Sequence, residues 1–120
     1  MVIILIFAQR TEESMIVEME KELEELIHDG DSKTYQSILR NRSLYDGLMR
    51  AYQIMIAVNS IEELKVYSYL HYEKLKYEYS GLSSIRLSNR YVHRLIFEEK
   101  EDLITLKLIT IDDTHYGNKK

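Results

Sequence analysis

The chain changes its hydrophobic period as it proceeds. It opens on an unbroken apolar run, Val2-Ile3-Ile4-Leu5-Ile6-Phe7, rich in β-branched residues, which predicts an interior strand. From Met15 the spacing becomes helical. Met15, Ile16, Met19, Leu23, Leu26 and Ile27 recur on one face, and Glu18, Glu22 and Glu25 fall elsewhere. Thr11 is placed to cap this helix, Glu12 and Glu13 favour its positive end, and Gly30 is placed to stop it. A second stripe, Leu48, Met49, Tyr52, Met55 and Ile56, lies between two candidate capping boxes, Ser43-Leu44-Tyr45-Asp46 and Ser60-Ile61-Glu62-Glu63. A short helix from Ile61 runs into Tyr67-Ser68-Tyr69-Leu70-His71-Tyr72, where helix end and loop both remain open. After the Ser80-Gly81 turn the period is two. Ile85 and Leu87 alternate with Ser84, Arg86 and Ser88; Tyr91 to Phe97 and Leu103 to Ile111 read as further strands. Ser88-Asn89-Arg90 and Glu98 to Asp102 are the connections. The order β-α-α-(α)-β-β-β predicts an α+β fold. A small antiparallel sheet carries N-terminal helices on one face, and residues 1–120 form one domain.

Composition narrows the class. The apolar share of 45% and charged share of 30% fit a soluble globular chain long enough for a real core. No cysteine is present, which excludes a disulfide framework and a thiolate metal site. No histidine pair has metal-ligand spacing with an acid, so no metal and no cofactor is expected. Val2 to Ala8 is too short to span a membrane and lacks the basic lead of a signal peptide, which points to a cytoplasmic chain. The net charge of −4 argues against nucleic acid, but its distribution is uneven. Residues 1–30 hold two cations against eight acids, whereas residues 71–96 hold five cations against two acids. Screening confines the reach of distant charges to about 8–10 Å, so an anion can still be drawn to the second region. The acidic run of the first helix reads as a solvated face.

The second region also carries a pattern. Glu73-Lys74-Leu75-Lys76, then Ser80-Gly81, Arg86, His93-Arg94-Leu95-Ile96-Phe97 and finally His115-Tyr116 resemble the YoeB/Txe branch of the RelE/ParE toxin superfamily. The match covers roughly the last 45 residues at motif level and the rest only in element order. The loop before His93-Arg94 is longer than the family pattern, and four residues follow Tyr116. Relatives are generally basic, and this chain is acidic. The resemblance implies a toxin of a bacterial toxin–antitoxin pair, a metal-independent endoribonuclease that cuts mRNA in the ribosomal decoding site. It implies a cognate antitoxin, mRNA and the ribosome as partners, with a homodimer or toxin–antitoxin hetero-oligomer as the assembly. It also leaves open a non-catalytic relative acting on a protein target such as DNA gyrase, or a degenerate toxin retained for antitoxin binding.

RNA cleavage without a metal uses the 2′-hydroxyl as internal nucleophile. The protein must supply a base, cations for the phosphorane charge and an acid for the leaving 5′-oxygen. By the resemblance, Glu73 is the candidate base and Arg94 the guanidinium that holds phosphate oxygens in one plane. His115 is the candidate acid, and Tyr116 stacks on a splayed base or orients the phosphate. Lys76, Arg86 and Arg90 are candidate phosphate contacts, and His93 packs beside Arg94. Strand alternation leaves open which way Arg94 points, because Tyr91, His93, Leu95 and Phe97 make the opposite row apolar too. A three-strand meander would put Glu73 and His115 at opposite ends, with the Glu73-to-Gly81 segment folding back to close the gap.

Overall fold

A computed structural model describes residues 14–113; the Val2–Phe7 run, the Thr11 cap and the His115-Tyr116 pair lie outside the described residues. The described residues form an α+β domain with a five-stranded sheet in the order β1-β5-β4-β3-β2. The strands are Ile16–Met19 (β1), Glu73–Lys74 (β2), Ser83–Arg86 (β3), Arg94–Glu99 (β4) and Thr105–Asp112 (β5). The sheet is mixed rather than wholly antiparallel, since β1 runs parallel to β5 with Ile16 opposite Thr105 and Met19 opposite Leu108.

β1 falls where the sequence predicts a helix. Met15 and Met19, four residues apart, satisfy both a helical and an alternating pattern. Val17 and Met19 pack on the core while Ile16 stays 48% exposed, the alternation of a half-buried strand. The helix starts only at α1, Lys21–Glu24, and continues as a π-helical turn over Glu25–Asp29. Gly30, at φ 66°, ends it in the left-handed conformation that glycine adopts cheaply. Leu23, Leu26 and Ile27 are buried as the spacing requires.

Three helices follow: α2 (Gln36–Arg40), α3 (Arg42–Ala57) and α4 (Ile61–Val66). α3 starts at Asn41, whose Oδ1 accepts from Leu44 N–H at 3.2 Å, and not at Ser43. Ser43 lies inside the first turn, and its hydroxyl pairs with Ser88 Oγ at 3.0 Å. Leu44, Leu48, Ala51 and Met55 form the buried stripe, while Ile56 turns out at 41% exposure. At α4 half of the box forms as read, Ser60 Oγ accepting from Glu63 N–H at 3.3 Å, while Glu63 Oε1 accepts from Asn59 N–H at 2.8 Å, one residue before the cap.

The segment left open by the sequence is a 3-10 turn, Ser68–Leu70, followed by His71 at φ 50°. That left-handed residue turns the chain into β2, two residues long, with Glu73 opposite Ser84 and Lys74 opposite Ser83. β4 starts at Arg94 rather than Tyr91, because Ser88 to His93 forms a loop closed by Leu87 N–H donating to the His93 carbonyl at 3.2 Å. β5 starts at Thr105, because the Asp102 carboxylate accepts the backbone N–H groups of Ile104 and Thr105, each at 2.9 Å, and holds the turn open through Leu103. The helices cover one sheet face. Ile85, Leu95, Phe97, Leu106 and Leu108 meet the α3 stripe there in one apolar core. Ile96 and Leu75 are buried outside that core.

Candidate functional site

Residues directly opposite across a strand pair share a face. Arg86 stands opposite Arg94, Arg94 opposite Asp112, and Glu73 opposite Ser84. Glu73, Ser84, Arg86, Arg94 and Asp112 therefore lie on one face, at the end where β3 and β5 finish and β2 and β4 begin. This settles the open direction of Arg94: it points to the face away from the apolar core.

Arg94 is nonetheless only 4% exposed. Its Nε donates to Ser84 Oγ at 2.6 Å, and its Nη2 donates to the His71 carbonyl oxygen and lies 3.3 Å from Glu73 Oε1. Burial lowers the Arg94 pKa from its ordinary value; the Glu73 carboxylate raises it in return, and Arg86 lowers it again. The Glu73 side chain keeps 35% exposure and shows solvent an open edge. The arrangement is a guanidinium fixed in orientation by a hydroxyl and a carbonyl, with a reachable carboxylate at its tip.

Arg86 completes the centre. Its Nε is buried without a hydrogen-bond partner, directly across from a second guanidinium. Two like charges facing each other across strands repel, and one buried N–H left unmade costs free energy. Both costs would fall if an oxyanion lay between them. Among the described residues no group of acids and histidines is arranged to hold a metal ion, and no helix is long and apolar enough to cross a membrane.

The structure thus brings Glu73, Arg94 and Arg86 together. Arg90 sits in the exposed β3–β4 loop at the same end, its N–H donating to Ser88 Oγ at 3.1 Å. Lys76 lies beyond the other end of β2, capping the turn Tyr77–Tyr79. His93 is half-buried with its ring edge-on to Tyr91 at 6.1 Å, and its Nδ1 is buried without a partner. The expected folding back of the Glu73-to-Gly81 segment does not occur. Glu73 is itself a strand residue, so four antiparallel strands, β2 to β5, return the chain to the end where it started. Ser84 and the His71 carbonyl are parts of the centre that the sequence pattern does not mark, since a backbone oxygen has no residue signature.

The fold and this centre define an α+β domain with a guanidinium–carboxylate pair at one sheet end. No protein-family model and no curated protein matches the chain. Among solved structures, one chain of a YoeB-YefM complex from Staphylococcus aureus is similar, with 18% identity and a TM-score of 0.44 over 85% of this chain and 98% of the other. A heterotetrameric complex of YoeB-YefM toxin-antitoxin from the same organism gives 17% identity and the same TM-score and coverage.

Proposed function

We propose that this protein is the toxin of a toxin–antitoxin pair, an endoribonuclease that cuts mRNA on the ribosome without a metal ion and so inhibits translation. The observation that carries the reading is the Glu73–Arg94 contact at 3.3 Å with Arg86 directly across the ladder. These are the acid and cations that the sequence pattern assigns to RNA cleavage, and they come from three separate strands.

In this reading the scissile phosphate competes with Glu73 for the Arg94 guanidinium and engages Arg86, whose Nε has no partner. Glu73, released from the pair, accepts the 2′-hydroxyl proton as that oxygen attacks phosphorus. The bond to the 5′-oxygen breaks, leaving a 2′,3′-cyclic phosphate, and His115 donates a proton to the departing oxygen. Tyr116 stacks on a neighbouring base, Arg90 holds a flanking phosphate, and Lys76 steers RNA from farther off. The cognate antitoxin masks this end of the sheet.

The test is cleavage of mRNA, ribosome-bound and free, by the purified protein in excess chelator, with the new ends mapped. Cuts leaving a cyclic phosphate and a 5′-hydroxyl are expected. Glu73→Gln and Arg94→Lys should each slow cutting by about 10²–10³-fold, the usual cost of losing a base or an electrostatic stabiliser. Folded wild-type protein that makes no cut on either RNA would overturn the ribonuclease reading and leave a binding protein.

A further inference from the structure

A cleft of about 330 Å³ opens beside this centre, between α3, the turn Ser68–Leu70 and the end of β3. That volume is enough for a small ligand. Its lining includes Arg50, Tyr69, Leu70, Arg86 and Asn89. Both charged residues there are arginines, in a chain whose net charge is −4. The cavity near Ile61 and Leu106 differs: Glu62 and Glu99 line it beside Lys65 and Lys100. Arg86 lines the cleft, and its Nε is buried without a hydrogen-bond partner. Arg50, on the exposed side of α3, adds a second guanidinium from another element.

The rest of the lining is not what a bare anion needs. Tyr69 is 44% exposed, with its ring steadied edge-on by Tyr67 at 6.2 Å. Such a ring offers a face to an unpaired base. Leu70 adds apolar surface, and the Asn89 amide presents a donor and an acceptor to a base edge. Gly47 sets the width: a Cβ there would lie 1.9 Å from the Leu87 carbonyl oxygen, so α3 approaches the end of β3 on bare backbone.

We propose that this cleft binds the nucleotide next to the scissile phosphate of a single-stranded RNA, its phosphate between Arg50 and Arg86 and its base on Tyr69. Arg86 belongs to both places, facing Arg94 across the ladder and lining the cleft, so one strand can thread from one to the other. The proposal rests on the ribonuclease reading for its ligand, and the experiment separates the two.

The probe is a six-nucleotide RNA with 2′-O-methyl groups throughout. It lacks the nucleophile and reports binding alone. Arg50→Gln and Tyr69→Ala change exposed side chains, and thermal melts check that both variants fold. Each should weaken binding about tenfold, the ordinary worth of a charged hydrogen bond or one stacked base. Arg50→Gln should also lower the salt slope by about 0.7, one phosphate contact on a single strand. Tyr69→Phe should bind like wild type, and so should Arg40→Gln, which removes the same charge from α2. Failure of wild type to bind the probe, wild-type binding by both cleft variants, or equal weakening by Arg40→Gln would each overturn the cleft. If the cleft variants lose binding while wild type cuts no RNA, the cleft stands and the ribonuclease reading falls. If wild type cuts RNA and both cleft variants keep its KM, the reverse holds.

Discussion

Arg94 shows what one buried charge demands of its neighbours. A guanidinium taken out of water must keep its donors satisfied, and here a hydroxyl, a carbonyl and a carboxylate do so. Arg94 thus has a structural role beside the proposed catalytic one, so stability and cleavage are separate measurements. Arg94→Ala strands Ser84, itself fully buried, and the His71 carbonyl. We expect a loss of about 1–3 kcal/mol in urea unfolding, the cost of groups left without partners. Glu73→Gln should cost less, because the Glu73 side chain keeps 35% exposure and water screens the contact. In the Arg94→Ala background the same change should cost almost nothing. Equal costs in both backgrounds would mean that the pair is not coupled in solution. At this scale the sequence marked Glu73, Arg94 and Arg86 by motif order alone. It could not mark the His71 carbonyl, and alternation could not orient Arg94 while both rows of its strand read as apolar.

Elements were legible where one period was sustained and one cap competed alone. α3 and α4 have long or well-capped signals, and both formed, although α3 took Asn41 as its cap and not Ser43. β1 was not legible, because four residues are too few to separate a period of two from one of 3.6. β2, at two residues, has no period at all; only its pairing with β3 makes it a strand. Contact between elements was equally hidden, as Gly47 illustrates. In a helix interior, glycine normally costs about 1 kcal/mol relative to alanine. Here the added methyl would meet the Leu87 carbonyl oxygen at 1.9 Å, and a backbone atom cannot rotate aside. Gly47→Ala should therefore lower the melting temperature, with an overpacking cost of about 1–3 kcal/mol outweighing the gain in helix propensity. A rise in melting temperature would show that α3 slides on the sheet end at little cost.

Across the whole molecule, the four-strand meander gives the sheet a polar centre at each end. One is the Glu73–Arg94–Arg86 face. The other ties the linker before β2 to β2, β3 and β4: Glu99 Oε2 accepts from Tyr72 Oη and from Ser83 Oγ at 2.6 Å, and Lys74 Nζ lies 3.5 Å from Oε1. These groups titrate in opposite directions, so the fold should lose stability at both pH extremes. For Glu99, burial is the largest single effect and pushes its pKa up, but hydrogen bonds from Ser83 and Tyr72 together with Lys74 pull it below 4.5. A carboxyl depressed on folding stabilises above its unfolded pKa, and that share is lost as pH falls below about 4.5. Asp102, held down by Thr105 and the Ile104 N–H, adds to the same acid limb. Tyr72 runs the other way. Burial, then the Glu99 hydrogen bond, pushes its pKa up from 10.0 to about 12. Between those values the unfolded chain has released the proton and the folded one retains it, so stability falls as pH rises. Tyr72→Phe removes the ionisable hydroxyl and should flatten the alkaline limb, leaving the Asp102 share of the acid limb in place. Glu99→Gln should flatten the acid limb in part and soften the alkaline one. Melting temperatures measured from pH 3 to pH 11.5 check both, and an alkaline limb unchanged in Tyr72→Phe would place its origin in another group.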